Sequence, residues 1–123
     1  MIRGVGADLC EVARAGQLVK RWGAHLRGRV FSAEEFDAAG GRAESLAARW
    51  AAKEAFAKAL GTGFRGFLVS EVSVYSAEGG RPSIRLTGAA LRKFNEAGGG
   101  SLHLSLTHEA GMALAVVVWE GET

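Results

Sequence analysis

Residues 46–60, LAARWAAKEAFAKAL, constrain the fold of this chain more than any other stretch. The run is made largely of strong helix formers, and no glycine or proline interrupts it. Gly61 follows where a helix C-cap glycine belongs. The stretch therefore predicts one long helix, with Trp50, Phe56 and Leu60 anchoring it in a core. Its charges form two i, i+4 pairs side by side, Arg49 with Lys53 and Glu54 with Lys58. One carboxylate among three cations suggests a site for a metal ion and phosphates. A solvated helix face carries the same kind of pairs, so the helix alone leaves both readings open.

Residues 2–8 alternate as a short strand, with Ile2, Gly4, Gly6 and Asp8 on one face. The two glycines remove bulk from the Asp8 face, so another backbone or a ligand can come close. Asp8 ends this strand, where it caps the next helix or binds a cation. Residues 11–22 follow as a helix with Val12, Ala15, Leu18, Val19 and Trp22 as its apolar stripe. Arg14, Gln17 and Arg21 take the other side; with Lys20, Arg27 and Arg29 they make the most basic region of the chain. That region is either a solvated face or a docking surface for an acidic protein, which exposed cations would steer. Ser32 and Glu35 have the spacing of a capping box, and Phe31 and Phe36 that of a hydrophobic staple, for a short helix ending near Ala39.

The C-terminal half reads as hairpins. Residues 67–76 form a strand, 78–82 a turn and 83–86 the return strand. Thr87 caps a helix over 88–96, with Leu91 and Phe94 buried. Residues 101–107 alternate strictly, with Leu102, Leu104 and Leu106 toward the core, and 108–111 make a turn. Residues 112–119 are nearly all apolar, as in a central strand buried on both faces. Hairpins outnumber βαβ units, so the expected class is α+β, a largely antiparallel sheet packed against the long helix.

A chain of 123 residues is expected to form a single domain over 1–123. Its net charge of +2 is too slight to mark a nucleic-acid binder. No stretch has the length of a membrane span, and the first residues lack a signal-peptide pattern. Cys10 is the single cysteine, so no intrachain disulfide can form, and the chain is expected in the cytoplasm.

Four pieces stand together: Gly6-Ala-Asp8 with Glu11 and Arg14; Arg49-Trp-Ala-Ala-Lys53-Glu54-Ala55 with Lys58; Gly61-Thr62-Gly63; and Ser105-Leu-Thr107-His108-Glu109. Gly80-Arg-Pro82 adds a turn. The set resembles the holo-acyl-carrier-protein synthases, the small bacterial type of 4′-phosphopantetheinyl transferase, over nearly the whole chain. The resemblance implies that fold and a transfer of phosphopantetheine from coenzyme A to a serine hydroxyl of an apo acyl carrier protein, with Mg²⁺, releasing adenosine 3′,5′-bisphosphate. It also implies a homotrimer with each site between subunits. Asp8 and Glu54 match metal-binding positions, and with Lys58 the catalytic ones. Arg49, Lys53, Lys58 and His108 match contacts to the phosphates of coenzyme A. Gly61, Thr62 and Gly63 match the backbone approach to the nucleotide, and Thr107 belongs to the late motif. Arg14 and Arg21 fall in the helix that docks the carrier. Glu54 and a relayed water remain alternatives for accepting the serine proton. Ala48, Trp50 and Thr107 depart from the commoner Gly, Phe and Ser. A non-catalytic coenzyme A or nucleotide binder and a carrier-docking module are the alternatives. Paired carboxylates beside the cations favour the transferase.

Overall fold

The computed structural model describes residues 1–121. Five strands and four α-helices follow in the order β1 (Ile2–Glu11), α1 (Val12–Trp22), α2 (Ala33–Ala39), α3 (Ala43–Leu60), β2 (Val72–Ser76), β3 (Pro82–Leu86), α4 (Gly88–Glu96), β4 (Ser101–Glu109) and β5 (Met112–Glu120). All strand pairs are antiparallel; β1, β5 and β4 form one sheet in that order, and β2 and β3 form a second. The expected α+β class holds, and α3 packs against the inner face of the three-stranded sheet.

That packing explains the alanines of α3. Ala51, Ala52, Ala55 and Ala59 are buried in one cluster with Ala115, Val117 and Trp119 of β5. Small side chains let helix and sheet backbones come close. Phe56 fills the space beyond, edge-on to Phe67 at 5.9 Å and tilted against Phe94 at 6.3 Å. Buried residues occur all round the helix, so the solvated-face reading of α3 is overturned.

Several boundaries differ from expectation for one reason: strand pairing carries on where local sequence suggests a turn. β1 continues to Glu11 because Glu11 still pairs with Met112 of β5. Asp8 therefore lies inside the strand, opposite Ala115, and is not a helix cap. β4 continues to Glu109 in the same way, so His108 belongs to a strand rather than a turn. The turn is Ala110-Gly111 alone, both with positive φ, 53° and 77°, as a two-residue hairpin with the sheet's own twist requires. The 67–76 strand shrinks to β2, preceded by a single 3₁₀ turn (Val69–Glu71).

The capping box of α2 forms as expected, with Glu35 N–H donating to Ser32 Oγ at 3.2 Å and Ser32 N–H to Glu35 Oε1 at 2.8 Å. The Thr87 cap does not: its side chain makes no capping bond, and Glu71 Oε2 accepts from Ala89 N–H at 3.0 Å instead. Leu91 is 41% exposed; Ala90 and Phe94 are the buried positions of α4. Leu18 and Trp22 of α1 are likewise about half exposed rather than core.

Candidate active site

Gly4 and Gly6 set the site. A Cβ on Gly4 would lie 2.0 Å from the carbonyl oxygen of Ala59, and one on Gly6 1.9 Å from that of Ala55. The backbones of β1 and α3 therefore touch with no side chain between them. The next residue on that face of β1 is Asp8. Lys58 Nζ donates to Asp8 Oδ1 at 2.9 Å and to the carbonyl of Ala7 at 3.1 Å. Glu54, one turn earlier on α3, shares this corner: burial first, and then the Asp8 carboxylate, push its carboxyl above the ordinary range, with Lys58 opposing. Two carboxylates this close, the Asp8 charge raising the proton affinity of Glu54, also suit a divalent cation, which would relieve the repulsion. Among the described residues no group of three or more metal-binding side chains occurs. Two carboxylates are a donor set suited to Mg²⁺, which keeps waters and takes further oxygens from substrate phosphates.

Arg49 and Lys53 lie on the other side of α3. Glu54 follows Arg49 by five residues, about 140° round the helix axis, so the two i, i+4 pairs are not neighbours. Lys53 is 0% exposed, and Nζ bonds Glu35 Oε1, the Val72 carbonyl and, at 3.3 Å, the Val69 carbonyl. An ammonium has three hydrogens, and here all three are used. Lys53 is therefore corrected from a phosphate contact to a core residue that ties α3 to α2 and β2. Burial pulls its ammonium below the ordinary range, and Glu35 pushes back.

Glu35 is the residue that sequence reasoning undervalued. It is 1% exposed and also accepts from Val74 N–H at 3.0 Å. The capping-box spacing revealed the cap; nothing local revealed the lysine eighteen positions on. Arg49 borders the same cluster. It donates to Ser45 Oγ at 3.2 Å and to the carbonyl of Val74, with Glu35 Oε2 at 3.8 Å. It lines a small cavity of about 90 Å³ with Tyr75, Pro82 and Leu106. His108, next to Leu106 along β4, pairs with Glu44 at 3.0 Å.

The residues expected at one site thus fall into two groups. Asp8, Glu54 and Lys58 meet on the β1 side of α3, followed by the loop in which Gly61 and Gly63 have φ of 85° and 62° and Thr62 Oγ1 donates to the Gly63 carbonyl at 3.0 Å. Arg49 and His108 lie toward β2 and β4. Thr107 belongs to neither: it pairs with Leu114 on the opposite face of the sheet from His108, away from α3. Arg14 and Arg21 are exposed on α1, and the Arg21 guanidinium stacks over Trp22 at 5.4 Å. Cys10 follows Asp8 on the same face. Burial pushes its thiol above the ordinary range, so slower alkylation by iodoacetamide than for a free cysteine at neutral pH is expected, read by mass.

This geometry has known counterparts. Residues 4–116 match the 4′-phosphopantetheinyl transferase superfamily. The chain belongs to that family. It is an enzyme of the holo-[acyl-carrier-protein] synthase type, and its relatives match end to end. It is 46% identical to the holo-[acyl-carrier-protein] synthase of Treponema denticola, over 98% of this chain and 100% of that one. To that of Streptomyces coelicolor it is 47% identical, over 98% of each. Among solved structures, the Neisseria meningitidis synthase superposes with a TM-score of 0.88 at 37% identity, over 98% of this enzyme and 99% of that chain. The Helicobacter pylori synthase, solved in complex with coenzyme A, gives 0.84 at 30%, over 94% and 99%.

Proposed function

We propose that this enzyme transfers the 4′-phosphopantetheine group of coenzyme A to a serine hydroxyl of an apo acyl carrier protein, with Mg²⁺, releasing adenosine 3′,5′-bisphosphate. The observation that carries the reading is the corner where Asp8, Glu54 and Lys58 meet. The serine oxygen attacks the β-phosphorus, and the bridging P–O bond breaks. Such a displacement depends on positioning and charge neutralisation. Asp8 and Glu54 would hold the cation, which supplies positive charge to the pyrophosphate. Lys58 Nζ is exposed enough to turn from Asp8 to a phosphate oxygen. Glu54, with its raised proton affinity, is one group able to take the serine proton, and a relayed water is the other.

The reading includes a homotrimer with sites shared between subunits. Two observations support it. The outer face of the sheet carries Ile2, Val5 and Leu9, each more than half exposed, beside Leu114, Val116 and Val118 of β5, and among the described residues no element covers it. A contiguous apolar face of this kind is suited to further copies of the chain. Arg49 and His108 also stand away from Asp8, so phosphates held by both groups would need two chains. Sedimentation at micromolar concentration is expected to give three times the chain mass. A monomer would count against shared sites. Arg14 and Arg21 would dock the acidic carrier, Gly61, Thr62 and Gly63 would meet the nucleotide, and the cytoplasm is the expected compartment. Among the described residues no helix is long and apolar enough to cross a membrane.

The test is incubation with coenzyme A, Mg²⁺ and apo carriers of fatty-acid, polyketide and peptide type, read by carrier mass. One added phosphopantetheine per carrier is expected. Coenzyme A binding without transfer to any carrier would make the protein a non-catalytic binder. Asp8→Ala is expected to lower kcat/KM by about 100-fold while circular dichroism stays unchanged.

A pH test addresses the cation. A carboxyl whose folded-state pKa is raised, as for Glu54, contributes stability below the ordinary carboxylate pKa and loses it as pH rises through the raised value. A cation competes with that proton. Millimolar Mg²⁺ is therefore expected to raise Tm at neutral pH, to do less below about pH 5, and to do little in Glu54→Gln. An equal Mg²⁺ effect in Glu54→Gln would remove Glu54 from the ligand set. Rescue of Glu54→Gln activity by high Mg²⁺ would argue for a ligand role and against Glu54 as the proton acceptor.

A further inference from the structure

Arg49 and His108 stand beside a carboxylate that the transfer reaction leaves unused. Glu44 Oε1 lies 3.0 Å from His108 Nε2. Glu44 precedes Ser45 on α3, and His108 follows Leu106 on one face of β4. Ser45 and Leu106 line the cavity that Arg49 borders, so the pair stands at the rim of that cavity. Glu44 also lies in the first turn of α3, where a helix N-terminus favours a carboxylate. The helix accounts for a carboxylate there. It does not account for the histidine in front of it.

Exposure separates this pair from the buried one. Lys53 and Glu35 are 0% exposed and cannot part without stranding a buried charge. His108 and Glu44 are 58% and 57% exposed, so each keeps water and either can turn away. A pair of this kind shifts an equilibrium by at most about fivefold. That is too weak for a brace and well matched to an exchange. A carboxylate offers one charge and two oxygens. A phosphate monoester offers about 1.5 to 2 charges and three oxygens, so it displaces a carboxylate from an exposed imidazole N–H. At the other corner, the carboxylate beside the exposed Lys58 has a second role, since Asp8 would hold the metal ion. Glu44 has no such role in the transfer.

We propose that Glu44 is a displaceable stand-in for a phosphate of coenzyme A. Its carboxylate holds His108 before coenzyme A binds, yields it to the phosphate, and takes it back as adenosine 3′,5′-bisphosphate leaves. The inference rests on the transfer reaction and on the contact between His108 and a phosphate proposed above. It gives Glu44 a definite sign: the residue weakens nucleotide binding, for substrate and product alike, and so helps to clear the product from the site. Because the competition is for His108, the effect runs through that side chain.

The experiment compares the unaltered enzyme with Glu44→Gln. Calorimetry gives Kd for adenosine 3′,5′-bisphosphate with Mg²⁺, and transfer to one apo carrier gives KM for coenzyme A. Both are expected to fall by about two- to fivefold. A rise in either would make Glu44 a positioning residue for His108 and overturn the proposal. Unchanged values would assign Glu44 to the helix N-terminus alone; they too overturn it, while leaving the transferase reading intact. His108→Ala supplies the second measurement. In that background Glu44→Gln is expected to change Kd by less than about 1.5-fold, since nothing is left to compete for. A gain that persists without His108 would be charge repulsion at a distance, and the exchange would be disproved. The binding comparison needs no turnover. Failure of the unaltered enzyme to transfer would sink the transferase reading, and Kd would still decide the part played by Glu44.

Discussion

Gly6→Ala is expected to destabilise the protein by more than about 3 kcal/mol and to abolish activity in whatever remains folded. The added methyl would lie 1.9 Å from the Ala55 carbonyl oxygen and 2.8 Å from the Ala59 nitrogen. Both are helix backbone atoms, so no side chain can turn aside. The only relief is to move β1 off α3, which carries Asp8 away from Glu54 and Lys58. Gly16→Ala is the matched control. Its methyl would meet Ala43 Cβ at 3.6 Å, an ordinary contact, and it sits inside α1. There alanine is expected to be neutral or to stabilise by up to about 1 kcal/mol. Urea denaturation of both variants measures the difference. Equal, small effects would mean that the strand and helix are further apart than the structure has them.

Lys53→Met is expected to cost about 3–5 kcal/mol, because it leaves the Glu35 carboxylate buried without its ammonium partner. Glu35→Gln removes the charge but leaves the lysine stranded, so it should cost a similar amount. The double variant should lose less than the sum, because neither charge is then orphaned. It should not recover fully, since Ser32 N–H and Val74 N–H also depend on Glu35. The measurement that separates this from a role in binding is KM for coenzyme A. With every Nζ hydrogen used inside the protein, folded Lys53→Met should keep KM within a few-fold. A loss of stability below about 1 kcal/mol, with KM raised tenfold, would return Lys53 to the phosphates.

Much of the chain was legible as written. The helix-forming run from Leu46 to Leu60, the capping box at Ser32 and Glu35, the alternation of Leu102, Leu104 and Leu106, and the Gly80-containing turn are local signals, and their elements form. The bare Gly4–Gly6 face announced a close approach, and α3 is what approaches. Errors in extent arose where pairing partners lie far along the chain. Glu11 and His108 stay in strands because β5 offers Met112 and Ala113.

The sequence by itself determined the elements, the α+β class and the residues that could do this chemistry, because helix propensity, capping and alternation are set by near neighbours. The tertiary structure decided which charges share a site. Arg49 and Lys53 form one local pair and Glu54 and Lys58 another, but packing fixes the rotation of α3 about its axis. With the alanines turned to the sheet, Glu54 and Lys58 face Asp8, while Arg49 and Lys53 face Glu35. Burial then decides the roles. Lys53 loses water on every side and can only be balanced by Glu35, whereas Lys58 keeps enough exposure to exchange Asp8 for a phosphate.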